Sequence, residues 1–237
     1  MGQDSPEAIN HPVRMRVTFA TGESVKYVGH LDLARAWERA LRRARLPLSY
    51  SQGYHPLPRI QFASALPLGF TGAAEIVDVY LDEEVGPAEF LLQLEPALPR
   101  GIRPTAAMLV PRELPSLQSQ IRGATFRVEV ETDEQEANFR SRLEAFLARP
   151  SAWRERRRGD RLVRYDLRPL VKSLHYGGTC ELGQAFVTEM RSEAGATGRP
   201  DELLAELGFE GVARRIERLE LTFCCDEESG GVPHDGQ

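Results

Sequence analysis

The sequence has few cysteines, few lysines and no long apolar run. Its three cysteines, Cys180, Cys224 and Cys225, cannot build a disulfide framework, and they lack the close spacing of the thiolates that hold an iron–sulfur cluster. No run of about 18 apolar residues is present, which argues against a transmembrane helix. The N-terminal residues are polar and lack the apolar core of a signal peptide. We therefore expect a protein of the reducing cytoplasm with no membrane association.

The common catalytic signatures are absent as well. The chain has no GxxxxGK(S/T) phosphate loop, no GxGxxG after a strand and no GxSxG elbow. It also lacks the HExxH and paired CxxC patterns that indicate zinc. The sequence therefore predicts neither a cofactor nor a metal site, and it leaves open whether the protein is an enzyme.

The charge balance does not mark the whole chain as a nucleic-acid binder, because the net charge is −5. Of the 30 basic residues, however, only Lys26 and Lys172 are lysines. Arginine carries a planar fork of donors that suits phosphates and carboxylates. A genome rich in G and C would produce the same bias, so the positions of the arginines have to decide between the two explanations.

The first half of the chain has the pattern of a βαββαβ unit. Apolar alternation and helical periodicity predict these elements in order: strand 13–20, an extended piece at 25–28, helix 30–45, an extended piece at 60–65, strand 74–81, a helix from Pro87 and strand 102–110. A proline-containing linker is predicted over 111–123. Residues 13–110 are therefore expected to form a ferredoxin-like subdomain.

The second half repeats the order of elements less regularly. Its predicted elements are strand 125–131, helix 134–148, strand 184–190, a helix from Pro200 to the C′ glycine Gly208, and strand 218–223. The expected fold class is α+β, with tandem ferredoxin-like subdomains at 13–110 and 124–225, the second degenerate. Residues 1–12 and 226–237 are predicted to be a disordered leader and tail.

The helix predicted over 30–45 has an apolar stripe and a basic face. The stripe consists of Leu33, Trp37, Ala40, Leu41 and Ala44, and the opposite side carries Asp32, Arg35, Arg39, Arg42 and Arg43. Ion pairs Asp32–Arg35 and Glu38–Arg42 are predicted from their spacing and would make this a solvated face. The surplus of arginines instead favours the binding of an anion.

Two histidines and several aromatic residues flank this helix. His30 begins the helix and His55 lies in the proline-bracketed loop that follows it; each could be an acid–base group, a metal ligand or a structural residue. Tyr50, Tyr54 and Phe62 could stack on RNA bases or belong to the core. The candidate anion- or RNA-binding residues are Lys26, His30, Asp32, Arg35, Arg39, Arg42, Arg43, Tyr50, Ser51, Gln52, Tyr54, His55, Arg59 and Phe62, and the candidate catalytic residue is His30.

A second basic cluster lies between residues 153 and 168. It contains Arg154, Arg156, Arg157, Arg158, Arg161, Arg164 and Arg168. Such a run is commonly a solvated loop or hairpin. An arginine-rich hairpin could also clamp a polyanion, and the sequence does not decide between these interpretations.

The segment GHLDLARAWERALRRARLPLSYSQGYHPLPRIQFASALPLG, residues 29–69, resembles the signature of the radical-SAM-linked family of bacterial proteins. The strand containing Glu75 and Asp78 and the segments DLRPLV (166–171) and RPDELL (199–204) resemble that family too. Two positions depart from its pattern: Gly29 replaces a serine, and Leu57 replaces the histidine between the prolines. The resemblance implies a separate chain that works beside a radical SAM enzyme, because this sequence lacks the CxxxCxxC motif that would hold the cluster.

Three hypotheses follow for the function. The first is a substrate-binding accessory protein of a radical SAM enzyme, acting on an RNA such as tRNA or rRNA. The second is a metal-independent endoribonuclease, with His30 as base and Arg35 or Lys26 steadying the phosphate. The third is an adaptor that binds only protein, with the basic helix face as its docking surface.

Overall fold

The computed structural model describes residues 12–159, 161–193 and 196–224, and the chain divides into two units. Unit 1 consists of the described residues up to Leu68 together with Glu75–Ser119. Unit 2 consists of Gly69–Ala74 and the described residues from Gln120 onward. The predicted tail, and all of the predicted leader except Pro12, lie outside the described residues. The protein is a mixed α and β protein in which sheet predominates.

Unit 1 alternates strands with two helices. Its elements are β1 (Val13–Thr21), α1 (His30–Arg43), β2 (Ile60–Phe62), β3 (Thr71–Leu81, in this unit from Glu75), α2 (Pro87–Leu94) and β4 (Ile102–Val110). The strands lie in the order β2-β3-β1-β4, and both the β2–β3 and the β1–β4 pairs are antiparallel. The extended piece predicted at 25–28 is wrong, because residues 23–25 form a 3₁₀ turn that leads toward α1.

Helix α1 is held on the sheet by the apolar stripe that its sequence predicts. Trp37 is fully buried, and its ring meets the ring of Phe19 edge to face at a centroid distance of 4.8 Å. Phe62 packs against the same indole at 6.1 Å. Burying a side chain of this size contributes about 3 kcal/mol. The stripe therefore fixes which side of α1 is presented to solvent.

No glycine marks the C-terminal end of helix α1 in the sequence. Its C-cap is Ala44, and Arg45 follows with φ +56°, the left-handed conformation that glycine usually supplies. Arginine in this conformation is strained by its Cβ. We expect Arg45→Gly to raise the free energy of unfolding by about 1 kcal/mol, measured by urea denaturation. Arg45→Ala keeps the Cβ, so a comparable gain in that variant would contradict the explanation.

Unit 2 contains a four-stranded arrangement with an inserted hairpin. Its elements are β5 (Ile121–Glu131), α3 (Glu136–Leu147), β6 (Trp153–Arg158), β7 (Arg161–Asp166), β8 (Val171–Cys180), β9 (Gly183–Glu193), β10 (Ala196–Thr197), α4 (Pro200–Glu206) and β11 (Arg214–Phe223). The main strands lie in the order β8-β9-β5-β11, all antiparallel. β10 extends the pairing along β9, and Thr71 and Gly72 pair in parallel with β11. The sheet is therefore mixed.

The ends of α4 follow the predicted signals. Pro200 is its first residue, and Gly208 follows with φ +87°. The N–H of Phe209 donates to the carbonyl of Leu204, which closes the helix as a glycine C-terminal motif does. None of the helices in the described part of the chain is long and apolar enough to cross a membrane.

Candidate nucleic-acid interface on unit 1

The approach to α1 carries Lys26 and His30. Lys26 is bound to Glu23, with 2.6 Å between Nζ and Oε2, and its ammonium lies 5.3 Å from the ring centre of Tyr27. The ring of His30 is half-buried and meets the ring of Phe62 edge to face at 5.4 Å. This packing does not test the catalytic assignment of His30, which stays a prediction.

The exposed face of α1 presents three arginines. Arg35 pairs with Asp32 at 3.1 Å as predicted, but both side chains are about two-thirds exposed, so the pair is worth a few tenths of a kcal/mol. Arg39 Nε donates a hydrogen bond to the carbonyl oxygen of Arg35. Arg42 lies over the ring of Tyr50, 6.0 Å from its centre. Arg39 and Arg42 are both exposed.

The predicted ion pair between Glu38 and Arg42 is wrong. Within the described residues these two side chains form no ion pair, although they are four residues apart on one helix. Arg42 instead stacks on Tyr50, which lies beyond the end of the helix. Arg42 therefore has no carboxylate partner among the described residues, although the spacing predicts one.

The 51–59 loop is closed at its base and open at its tip. The N–H of Ser51 donates to the carbonyl of Leu57, and the N–H of Leu57 donates back to Ser51 Oγ at 3.1 Å. Gly53 has φ +145°, which only glycine adopts without strain. Tyr54 at the tip is 95% exposed, and its ring stands perpendicular to that of His55. The exposed residues of this loop also include Gln52.

Three residues of the predicted set have structural contacts. Arg43 donates to the carbonyl of Ala97 and so ties α1 to the segment after α2. The guanidinium of Arg59 stacks on Tyr80 at 4.5 Å. Phe62 is a core residue with 7% exposure, so its ring is not available to stack on a base. Seven exposed members of the set are grouped below as the α1–loop surface: Arg35, Arg39, Arg42, Tyr50, Gln52, Tyr54 and His55.

Sequence reasoning missed one aromatic residue beside this surface. Tyr27 is 75% exposed, although it precedes a helix with a well-packed apolar stripe. The neighbouring Leu31 is also exposed. The only signal in the sequence was the pair Lys26-Tyr27 immediately before the helix.

A buried charge cluster in unit 1 was also missed. Asp78 on β3 is fully buried and accepts hydrogen bonds from two arginines of β1: Arg14 Nε to Oδ2 at 2.7 Å, and Arg16 Nε to Oδ1 at 2.9 Å. Arg14 is itself only 1% exposed. Its terminal nitrogens donate to the carbonyls of Leu114 and Pro115 at 2.9 and 3.1 Å. Each of the three guanidinium nitrogens of Arg14 has an acceptor, so we interpret the cluster as a structural one.

The arginine cluster of unit 2 is a hairpin made of β6 and β7, which we call the arginine hairpin (153–166). Arg156 is paired with Glu202 of α4, and this hydrogen-bonded carboxylate raises the pKa of Arg156. Arg154 and Arg149 both bind Glu206. Burial raises the pKa of Tyr165, and the nearby Glu202 raises it further. Two of the cluster's arginines are thus neutralised by carboxylates of α4.

Unit 2 also has a groove of about 380 Å³ between α3 and the end of α4. Its charged lining residues pair with one another, Arg142 with Glu134 and Arg149 with Glu206. The hydrogen bond to Glu134 raises the pKa of Arg142. Across the described ranges, no group of three or more His, Cys, Asp or Glu side chains is placed to hold a metal ion. The groove therefore offers a ligand little unsatisfied charge.

The chain belongs to a bacterial family whose model matches residues 14–200 and is described as "uncharacterized protein conserved in bacteria (DUF2344)". The match runs from the second residue of β1 to the first residue of α4 and so includes both α1 and the arginine hairpin. No curated protein matches the chain.

Solved structures give weak similarities. A crystal structure of a Cbf5-Nop10-Gar1 complex has a TM-score of 0.48 and 10% identity, over 87% of this chain and 48% of that one. An archaeal box H/ACA sRNP Nop10-Cbf5 complex has 0.45 and 9%, over 90% and 48%. An H/ACA RNP bound to a substrate RNA containing 2'-deoxyuridine has 0.41 and 10%, over 92% and 55%. The chain spans about half the length of these solved chains, and similarity at this level does not establish a shared fold or function.

Proposed function

We propose that this protein is an RNA-binding accessory module of a radical SAM enzyme, and that unit 1 holds the RNA on the α1–loop surface. The observation that carries the proposal is the row of exposed arginines on α1. Its last member, Arg42, lies over the ring of Tyr50, and the loop that follows Tyr50 has the exposed Tyr54 at its tip. Arginines alternating with exposed aromatic rings can hold phosphates and unstacked bases together.

The geometry of the α1–loop surface suits an extended polyanion. Arg35, Arg39 and Arg42 lie along about two turns of one helix, so their guanidinium groups span about 10 Å. That length corresponds to a few phosphates of a nucleic-acid strand, whereas a small anion would occupy one arginine. The buried Trp37 stripe holds this row in place, so little ordering of backbone is needed when a strand binds.

We also propose that each unit is a ferredoxin-like βαββαβ subdomain. The support is the strand order, in which the second strand lies beside the third, then the first, then the fourth in both units. In unit 2 all three of these pairs are antiparallel, and the arginine hairpin is inserted between α3 and β8. This would present the helices of each unit on one face of its sheet.

The radical SAM partner is proposed from the resemblance of residues 29–69 to the radical-SAM-linked signature. The cluster chemistry would belong to the partner, since this sequence has no CxxxCxxC motif. The proposal is tested by affinity purification of the tagged full-length protein from a bacterium of its own lineage. Recovery of a protein with a CxxxCxxC motif at 0.5 M salt or higher supports the partnership, and its absence from crosslinked samples contradicts it.

RNA binding is tested by filter binding of a tRNA mixture across a salt series. Arg39→Gln combined with Arg42→Gln is expected to weaken binding by about 10-fold and to lower the salt slope by about 2, because each phosphate contact adds about one unit. Both substitutions replace exposed side chains, so the fold should be preserved.

The matched control is Arg103→Gln combined with Arg112→Gln. These arginines are also exposed in unit 1 but lie on β4 and in the segment after it. Equal affinity and slope for the two double variants would refute binding at the α1–loop surface. Incubating the RNA with the protein in EDTA and running it on a denaturing gel separates binding from cleavage. A metal-independent endoribonuclease would shorten the RNA, and the His30→Ala variant would leave it intact.

A further inference from the structure

The arginine hairpin has two chemically different faces. Cross-strand partners in an antiparallel hairpin lie on the same face, and the register pairs Arg154 with Tyr165 and Arg156 with Val163. These pairs form the inner face, whose arginines are bound by Glu206 and Glu202 of α4. Three alternate pairs form the outer face: Trp153 with Asp166, Glu155 with Arg164, and Arg157 with Leu162.

The outer face exposes an indole beside arginines. Trp153 is 57% exposed, and the guanidinium of Arg164 lies 4.6 Å from the centre of its ring. Arg157 and Leu162 next to them are exposed as well. A tryptophan left in water on a strand does not contribute its area to the core, and its exposure is unusual for so large a side chain. The inner-face ion pairs hold the hairpin so that this face stays outward.

The outer face carries two arginines, Arg157 and Arg164, and two carboxylates, Glu155 and Asp166. Within the part of the chain that the structure describes, Arg157 and Arg164 form no ion pair, although Glu155 lies directly across from Arg164. Asp166 is occupied, since its Oδ1 accepts the N–H groups of Ala152 and Arg168 at 2.7 and 3.0 Å. Glu155 is thus the one carboxylate on this face whose oxygens accept no hydrogen bond from a described residue.

We infer that the outer face of the arginine hairpin is a second nucleic-acid contact, which takes a single-stranded RNA segment. Trp153 would stack on a base, and Arg157 and Arg164 would bind the flanking phosphates. The flat face of a base can stack on a Trp–Arg pair. Neighbouring bases cover that face in a duplex, whereas it is accessible in a single strand. An acidic protein segment would satisfy the arginines but would leave the indole without a planar partner. The inference does not require the α1–loop surface to bind RNA.

Tryptophan fluorescence gives a direct test, because the two tryptophans differ in exposure. Trp37 is fully buried, so a change of emission on adding RNA to the folded protein reports Trp153. We expect an unlabelled single-stranded dodecamer of uridine to quench the emission of the full-length protein. Trp153→Phe should abolish the RNA-dependent change while retaining the emission of Trp37. Trp153→Ala should weaken binding by about 5-fold or more in a filter assay.

The arginines are tested by their salt dependence. Arg157→Gln combined with Arg164→Gln is expected to lower the salt slope for the dodecamer by about 1.4, at about 0.7 per phosphate on a single strand. The Arg103→Gln and Arg112→Gln pair is again the control for lost charge. An identical slope in the hairpin variant and the control would overturn the assignment of these arginines.

The outcomes separate this inference from the proposed function. Quenching that persists in the Arg39→Gln, Arg42→Gln variant supports an independent contact on the hairpin. Emission that does not change while the α1-dependent binding remains overturns the hairpin contact alone. Quenching by poly-glutamate as strong as that by the dodecamer also overturns it, because the surface would then take an acidic protein.

Discussion

Asp78→Ala is expected to lower the free energy of unfolding by about 3–5 kcal/mol, the cost of removing one partner from a buried ion pair. Asp78 is fully buried and is the carboxylate between Arg14 and Arg16. Without it, the acceptors left to Arg14 among the described residues are the carbonyls of Leu114 and Pro115. A buried guanidinium with no counter-charge is far more costly than an ordinary lost hydrogen bond. Urea denaturation followed by circular dichroism measures the change.

Asp32→Ala is the matched control for this variant. It removes the same side chain from an ion pair of similar length, but Asp32 and Arg35 are both about two-thirds exposed. We expect a loss of about 0.5 kcal/mol or less there. If the two variants lose similar amounts, the charge cluster at Asp78 does not hold unit 1 together. Should Asp78→Ala fail to fold, Asp78→Asn keeps the shape and should still unfold at lower urea than wild type.

Trp37→Ala is expected to cost about 3–5 kcal/mol, because it leaves a large cavity between α1 and the sheet. The indole touches the rings of Phe19 and Phe62 and is fully buried. Its Nε1 has no hydrogen-bond partner within the described structure, so the ring acts only by its volume. Trp37→Phe should therefore cost only about 1 kcal/mol, since the cavity is smaller and the unpaired N–H is removed.

Circular dichroism in urea is the suitable measurement for the Trp37 variants, because they change the fluorescence signal itself. Trp153→Ala is the control for the size of the residue removed: its indole is more than half exposed, and the loss should stay near or below 1 kcal/mol. A similar loss in Trp37→Phe and Trp37→Ala would contradict the explanation that the size of the cavity sets the cost.

Local patterns were sufficient for much of the fold. The apolar stripe of α1 was predicted residue by residue, because a period of 3.6 depends only on near neighbours. Residues 102–110 were predicted as a strand with the bounds that β4 has. Strand β8 was missed: its sequence has two adjacent glycines and polar residues, and only Val171 and Leu174 are buried in it. Its strand conformation follows from pairing with β9, which a local pattern does not contain.

The candidate site was predicted less well, because its decisive contacts join distant parts of the chain. Arg42 was assigned to Glu38 from helix spacing, but it meets Tyr50, whose position depends on the turn after Arg45. Alternation in β1 places Arg14 and Arg16 on the face opposite its apolar residues, which is the solvent face of a half-buried strand. Their partner Asp78 lies more than 60 residues away in the sequence. Alternation therefore predicted which face of β1 the two arginines occupy, but it could not predict that this face is buried. The two faces of the arginine hairpin likewise depend on α4.

The Arg14–Asp78–Arg16 cluster also has an evolutionary consequence. Changing any one of the three residues leaves a charge or its acceptors unmatched inside unit 1, whereas replacing all of them with apolar residues of similar volume can be neutral or favourable. A lineage could reach the apolar version only through intermediates that are less stable than either end. We therefore expect substitutions at these three positions to occur together in related proteins, although Asp78 is far from the two arginines in the sequence.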